Sequence, residues 1–175
     1  MDDITFNLFW RYCIAYGVFA LLTFISLISF SIPLTEAVRP YFIIMIVYFW
    51  AIHRPTLIPP LIIFMVGIIY DMLMGFPLAL HSVLFILAYW IIKNQRLFFL
   101  GQSYLAIWIG FFITCLSLLV LEYFFFSALA HSLLNIKPLI GSLLLSVCIF
   151  PLLSFVFTKI NGLLPYDHNV ITQVD

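Results

Sequence analysis

Two polar residues in an otherwise apolar stretch carry most of the chemistry this sequence offers. In Gly67-Ile-Ile-Tyr-Asp71-Met-Leu-Met-Gly75-Phe-Pro77-Leu-Ala-Leu-His81, a carboxylate and an imidazole stand ten residues apart. Such a pair can shuttle a proton, because imidazole exchanges one near neutral pH and a carboxylate orients the ring. The plainer alternative is a hydrogen-bonded turn that fixes two helices relative to each other, since no nucleophile or third group accompanies the pair. On a helix, Gly67, Asp71 and Gly75 fall at i, i+4 and i+8 and share a face. Small residues let helix backbones approach closely in a bilayer, and an acid at that depth turns toward protein or water. Asp71 therefore has two readings. It is a proton or cation site or a polar anchor for a partner helix, or it is a loop carboxylate ending a short span near the headgroups. Gly75 and Pro77 are both helix-ending signals and keep the second reading open. Near a helix C-terminus the dipole offers an aspartate nothing, so another interaction must hold it.

The remaining candidates are weaker. Glu122 closes an apolar run ahead of Tyr123-Phe-Phe-Phe126 and reads as interfacial, as do His53 and Arg54. His131 and His168 fall in or near loops, and the four histidines have no ligand spacing, so neither metal nor cofactor is expected. Cys13, Cys115 and Cys148 lie in apolar runs without CxxC spacing and read as small buried hydrophobes. No Gly-rich phosphate loop, GxSxG or HExxH occurs, which weighs against an enzyme.

The elements that must position these residues are set by composition. The 175 residues are 66% hydrophobic, 19% aromatic and only 8% charged, where soluble domains carry about 25% charged residues. A chain this size cannot hide that apolar surface in a core of its own, so lipid must be the outer solvent and the fold class is an all-α integral membrane protein. The net charge is 0, which leaves no footprint for nucleic acid. The start, Met-Asp-Asp, is acidic where a secretory signal is basic, so a retained first helix is expected.

Apolar runs separated by proline and charge predict one polytopic domain of about six spans, near 12–32, 41–53, 58–74, 78–93, 101–122 and 138–158. The second and third are short for a hydrocarbon core of about 30 Å, so they are either short spans or a re-entrant hairpin. Uncharged flanks that can extend each one favour spans. With six spans and the N-terminus inside, Arg11, Arg54, Lys93, Arg96 and Lys159 are cytoplasmic against Arg39 and Lys137 outside, so both termini are expected in the cytoplasm. No internal repeat suggests a transporter of inverted halves.

The stretch from Arg39-Pro40 through Tyr48-Phe-Trp50-Ala-Ile-His53-Arg54-Pro55 to Gly67, Asp71, Gly75, Pro77 and His81 resembles the MreD family of rod shape-determining proteins. The matching order is an Arg-Pro pair, a Tyr–Trp helix ending in a basic-proline turn, then G-x-x-x-D-x-x-x-G with a leucine-rich continuation. Phe150-Pro151 ahead of Lys159 fits as well, whereas Ala79 stands where the family often has glycine. The resemblance implies a non-enzymatic scaffold of the elongation machinery in the bacterial inner membrane. Its implied partners are lipid, a single-span MreC-like protein, MreB, RodA and the elongation penicillin-binding protein. It also implies a compact bundle similar to the S-components of energy-coupling-factor transporters, which keeps a small-molecule-binding transporter subunit as the alternative. Arg39, Pro40, Trp50, Pro55, Gly67, Asp71, Gly75, Pro77 and His81 are then expected to pack helices or bind a partner.

Overall fold

The protein's structure, a computed structural model, describes residues 13, 16–26, 38, 40–130 and 136–163. These form α1 (Tyr16–Ser26), α2 (Phe42–His53), α3 (Pro60–Met74), α4 (Leu80–Asn94), α5 (Arg96–Leu100), α6 (Tyr104–Ala130) and α7 (Ile136–Leu163). The fold is all-α. Helices α6 and α7 are long and apolar enough to cross a membrane, while α1 to α4 are apolar and shorter.

Local sequence accounts for the helix ends. Proline after Arg54 disfavours helical backbone there, and α2 stops at His53. Pro60 opens α3 at a first-turn position where its missing N–H leaves no bond unmade. Gly75 ends α3 in the left-handed conformation (φ 71°), and the N–H groups of Gly75 and Phe76 both donate to the Asp71 carbonyl. Ala79 precedes α4 in the same conformation (φ 72°), which its Cβ disfavours and a glycine would not.

Helix α2 is the centre of the bundle. It is apolar all the way round, and every residue from Phe42 to Ile52 is buried, as a helix without a polar face requires. Helices α4, α5, α6 and α7 surround it, and α3 lies outside, packed chiefly on α4. Of the two short segments, α3 turns directly to α4, and α2 packs against the later helices. The expected fifth segment also runs further than 122, to Ala130, and the sixth extends from Ile136 to Leu163. A five-residue helix, α5, joins the fourth and fifth segments where only a basic loop was expected.

Antiparallel α6 and α7 are joined by polar contacts at the places where the backbone needs them. Pro151 inside α7 has no N–H for the Val147 carbonyl, and Trp108 Nε1 of α6 donates to that oxygen at 3.1 Å. Tyr48 of α2 sits edge-on to Phe111 and Phe150, and its hydroxyl donates to the Ile107 carbonyl. At the end where α2 finishes, Arg96 Nε donates to the Ile52 carbonyl, placing a cation at a helix C-terminus. Arg54 Nε donates to Asn161 Oδ1 of α7 at 2.6 Å, and Tyr89 donates to the Pro55 carbonyl. Cys115 is buried, but Cys13 and Cys148 are exposed on outer helix faces, against the expectation of buried thiols. In an apolar run, lipid-facing and core-facing positions look alike.

Candidate functional site

The turn between α3 and α4 brings Asp71 and His81 together. Gly75 reverses the chain, and His81 occupies the second position of α4, directly opposite the last turns of α3. His81 Nδ1 lies 2.6 Å from Asp71 Oδ1, and the His81 backbone N–H donates to Asp71 Oδ2 at 3.1 Å. The carboxylate that gains nothing from its own helix thus caps the N-terminus of the next one. It satisfies an orphan N–H there and sits at the favourable end of that dipole. Asp71 is 0% exposed and His81 4%, so the aspartate is inside the protein rather than in an interfacial loop.

The rings of Tyr70, Phe76 and Phe85 surround the imidazole, with centroids at 4.9, 4.7 and 5.7 Å. They exclude water from the pair and leave Nε2 open toward α6. There Glu122 Oε1 stands 3.6 Å from Nε2, at ion-pair rather than hydrogen-bond distance. Tyr41, just ahead of α2, donates its hydroxyl to Glu122 Oε2 at 2.9 Å. The Tyr41 N–H donates to Ser146 Oγ of α7 at 2.8 Å, and Ser146 in turn donates to the Ser142 carbonyl. One polar chain, Asp71–His81–Glu122–Tyr41–Ser146, therefore ties α3, α4, α6, the start of α2 and α7 at one end of the bundle.

Glu122 corrects the sequence reading most sharply. It does not end a span at the interface; it is 8% exposed and lies inside α6, which continues two more turns past it. It supplies the third group that the Asp71–His81 pair was expected to lack. The available signal was a carboxylate bordering an apolar run, which is also what an interfacial residue looks like.

The glycines of the stretch divide. A Cβ on Gly67 would come within 2.7 Å of the Ser82 backbone nitrogen, so α3 and α4 touch backbone to backbone there; Ser82 Oγ also donates to the Phe64 carbonyl. A Cβ on Gly75 would meet nothing within 4 Å, because Gly75 serves the turn and not the shared face. The Gly67–Asp71 face is thus covered by α4.

The other expected residues are dispersed. The Pro40 carbonyl accepts the Phe42 N–H at the entrance to α2, and Trp50 is buried in α2, edge-on to Phe49. Pro55 accepts from Tyr89, and the Pro77 carbonyl accepts the Leu80 N–H in the α3–α4 turn. Trp50 and Pro55 lie near the opposite end of α2 from the polar chain. Arg39, His131 and His168 lie outside the described residues. His53 stacks on Phe49 and holds its carbonyl through Nδ1.

Chemically the arrangement is a clamp. Among the described residues no buried side-chain nitrogen or oxygen lacks a partner, and no cluster of His, Cys, Asp and Glu has metal-holding geometry. Asp71 and Glu122 each have their oxygens engaged from within the bundle, which fixes α3, α4, α6 and the start of α2 against one another, and the Tyr41 N–H to Ser146 adds α7.

A family model described as rod shape-determining protein MreD matches residues 5–160, nearly the whole chain. No curated protein and no solved structure matches it. With its apolar helices and this match, the chain is a bacterial membrane protein that belongs to the MreD family and takes part in determining rod shape.

Proposed function

We propose that the protein is a non-enzymatic scaffold of the inner membrane that couples MreC-like and MreB components to the wall synthases of cell elongation. It spans the membrane six times, through α1, α2, α3, α4, α6 and α7, with both termini in the cytoplasm. The observation that carries this reading is the closed polar chain. Asp71, His81, Glu122 and Tyr41 engage one another through two hydrogen bonds and the His81–Glu122 ion-pair contact, and leave the helix faces as the surface offered to other molecules. Gly67, Asp71, Gly75, Pro77 and His81 then act by packing helices, and they serve a partner indirectly by holding the bundle in the shape it docks on. Pro40 leads into the same end, whereas Trp50 and Pro55 seat α2.

The transporter-subunit reading requires a wet cavity with convergent polar groups. The groove beside the clamp is instead lined by Pro77, Leu78, Ala79, Leu80, Val83, Leu84 and Phe125. The test is complementation of a strain depleted of its own MreD protein. The parent chain restores rods, and Asp71→Ala, present in the membrane at equal level, leaves rounded cells. Restoration of rods by Asp71→Ala at reduced stability would discard the clamp as the basis of the scaffold.

A further inference from the structure

The end of the bundle opposite the clamp carries Arg54, Lys93, Arg96 and Lys159. The contacts of Arg96 with Ile52 and of Arg54 with Asn161 gather these side chains to one level. Among the described residues the acids are Asp71 and Glu122, both buried at the other end, so the charged side chains described at this end are all cations.

A groove of about 360 Å³ opens sideways there between the start of α6 and the second half of α7, lined by Tyr104, Pro151, Ser154, Phe155 and Thr158. Its polar atoms are used up internally. Tyr104 Oη and Ser154 Oγ lie 2.6 Å apart, Ser154 donates to the Pro151 carbonyl, and Thr158 donates to the Ser154 carbonyl. What remains for an occupant is hydrocarbon wall. The Lys159 ammonium lies 4.8 Å over the Phe155 ring, at the rim of the groove. At 1.5 Å per residue, Pro151 to Lys159 covers about 12 Å of helix, a length suited to an acyl chain hanging below a phosphate.

We propose that this groove binds an anionic phospholipid, with one acyl chain along Tyr104, Pro151 and Phe155 and the headgroup phosphate on Lys159. The inference rests on the reading that the chain spans a membrane. An apolar slot with a cation at its mouth matches a lipid better than it matches an acidic protein, which would leave the slot empty. A basic pocket between helices on the cytoplasmic side is a site of this chemical type.

The test uses the full chain in nanodiscs of phosphatidylcholine with a minor fraction of phosphatidylglycerol, and measures by mass spectrometry the lipid retained after a detergent wash. The parent chain retains phosphatidylglycerol in preference to phosphatidylcholine, and Lys159→Gln lowers that retention about five-fold, the factor expected for one cation near a phosphate. Thr158→Trp, which fills the groove, lowers it with the charge intact. Lys93→Gln, an equal charge change away from the groove, leaves retention unchanged. No preference in the parent, or an equal loss in Lys93→Gln and Lys159→Gln, would overturn the proposal while leaving the membrane reading intact. A chain that does not enter nanodiscs of either composition would overturn both.

Discussion

Replacing Asp71 by alanine removes three things at once. It deprives α4 of its capping acceptor, worth about 1 kcal/mol. It strands the His81 Nδ1 and backbone N–H in a site where Asp71 is 0% exposed, at about 1–3 kcal/mol for each unsatisfied group. It also leaves Glu122 beside an imidazole no longer oriented from the other side. These losses overlap, and the removal of one partner from a buried pair sets the combined effect at about 3–5 kcal/mol. For a domain of this size each kcal/mol moves the melting temperature by about 2–4 °C, so Asp71→Ala should melt about 6–20 °C below the parent. The assay is helix circular dichroism of the detergent-solubilised protein during heating. Asp71→Asn keeps one acceptor oxygen and should fall between the two. Pairing the change with His81→Ala adds a sharper check: the double variant should lose less than the sum of the singles, because the same bond is broken only once. A melting point within about 2 °C of the parent, or strictly additive losses, would refute the clamp.

Other expectations follow from single contacts. Gly67→Ala places a Cβ against the Ser82 backbone and should lose about 1–3 kcal/mol by forcing α3 off α4; Gly75→Ala meets nothing and should lose only about 1 kcal/mol, through its positive φ. The order of their two melting points checks this. Ala79→Gly relieves a left-handed alanine and should raise the melting temperature, by about 0.5–1 kcal/mol of stability. Trp108→Phe keeps an aromatic ring, though a smaller one, but strands the Val147 carbonyl freed by Pro151, and should cost about 1–3 kcal/mol. Pro151→Ala restores an N–H to that carbonyl, so the loss from Trp108→Phe should shrink in a Pro151→Ala background, measured as a double-mutant cycle.

The local half of the site was legible and the distant half was not. Asp71 and His81 meet because glycine and proline turn the chain between them, and those residues announce a turn in any sequence. Tyr41 reaches Glu122 across 81 positions, and nothing in an apolar sequence marks which carboxylate a distant hydroxyl will find. Hydropathy reading ends a span at the first charge, which put Glu122 at an interface; the helix continues because its acid is satisfied by neighbours. The short length of α2 was readable, but its place at the centre was not, since residues that face protein and residues that face lipid are equally apolar. The expectation that Gly75 shares a face with Gly67 failed for a local reason: left-handed backbone at Gly75 ends the helix that would have carried the face.

The most direct measurement is affinity isolation of the tagged full chain from rod-shaped cells in mild detergent, with mass spectrometry of the proteins and small molecules that accompany it. The scaffold account predicts recovery of a single-span MreC-like protein together with wall-synthesis components, and their loss when Asp71→Ala loosens the clamp. A stoichiometric vitamin-sized ligand in the company of an ATPase would contradict it, and would make the protein a binding subunit of a transporter.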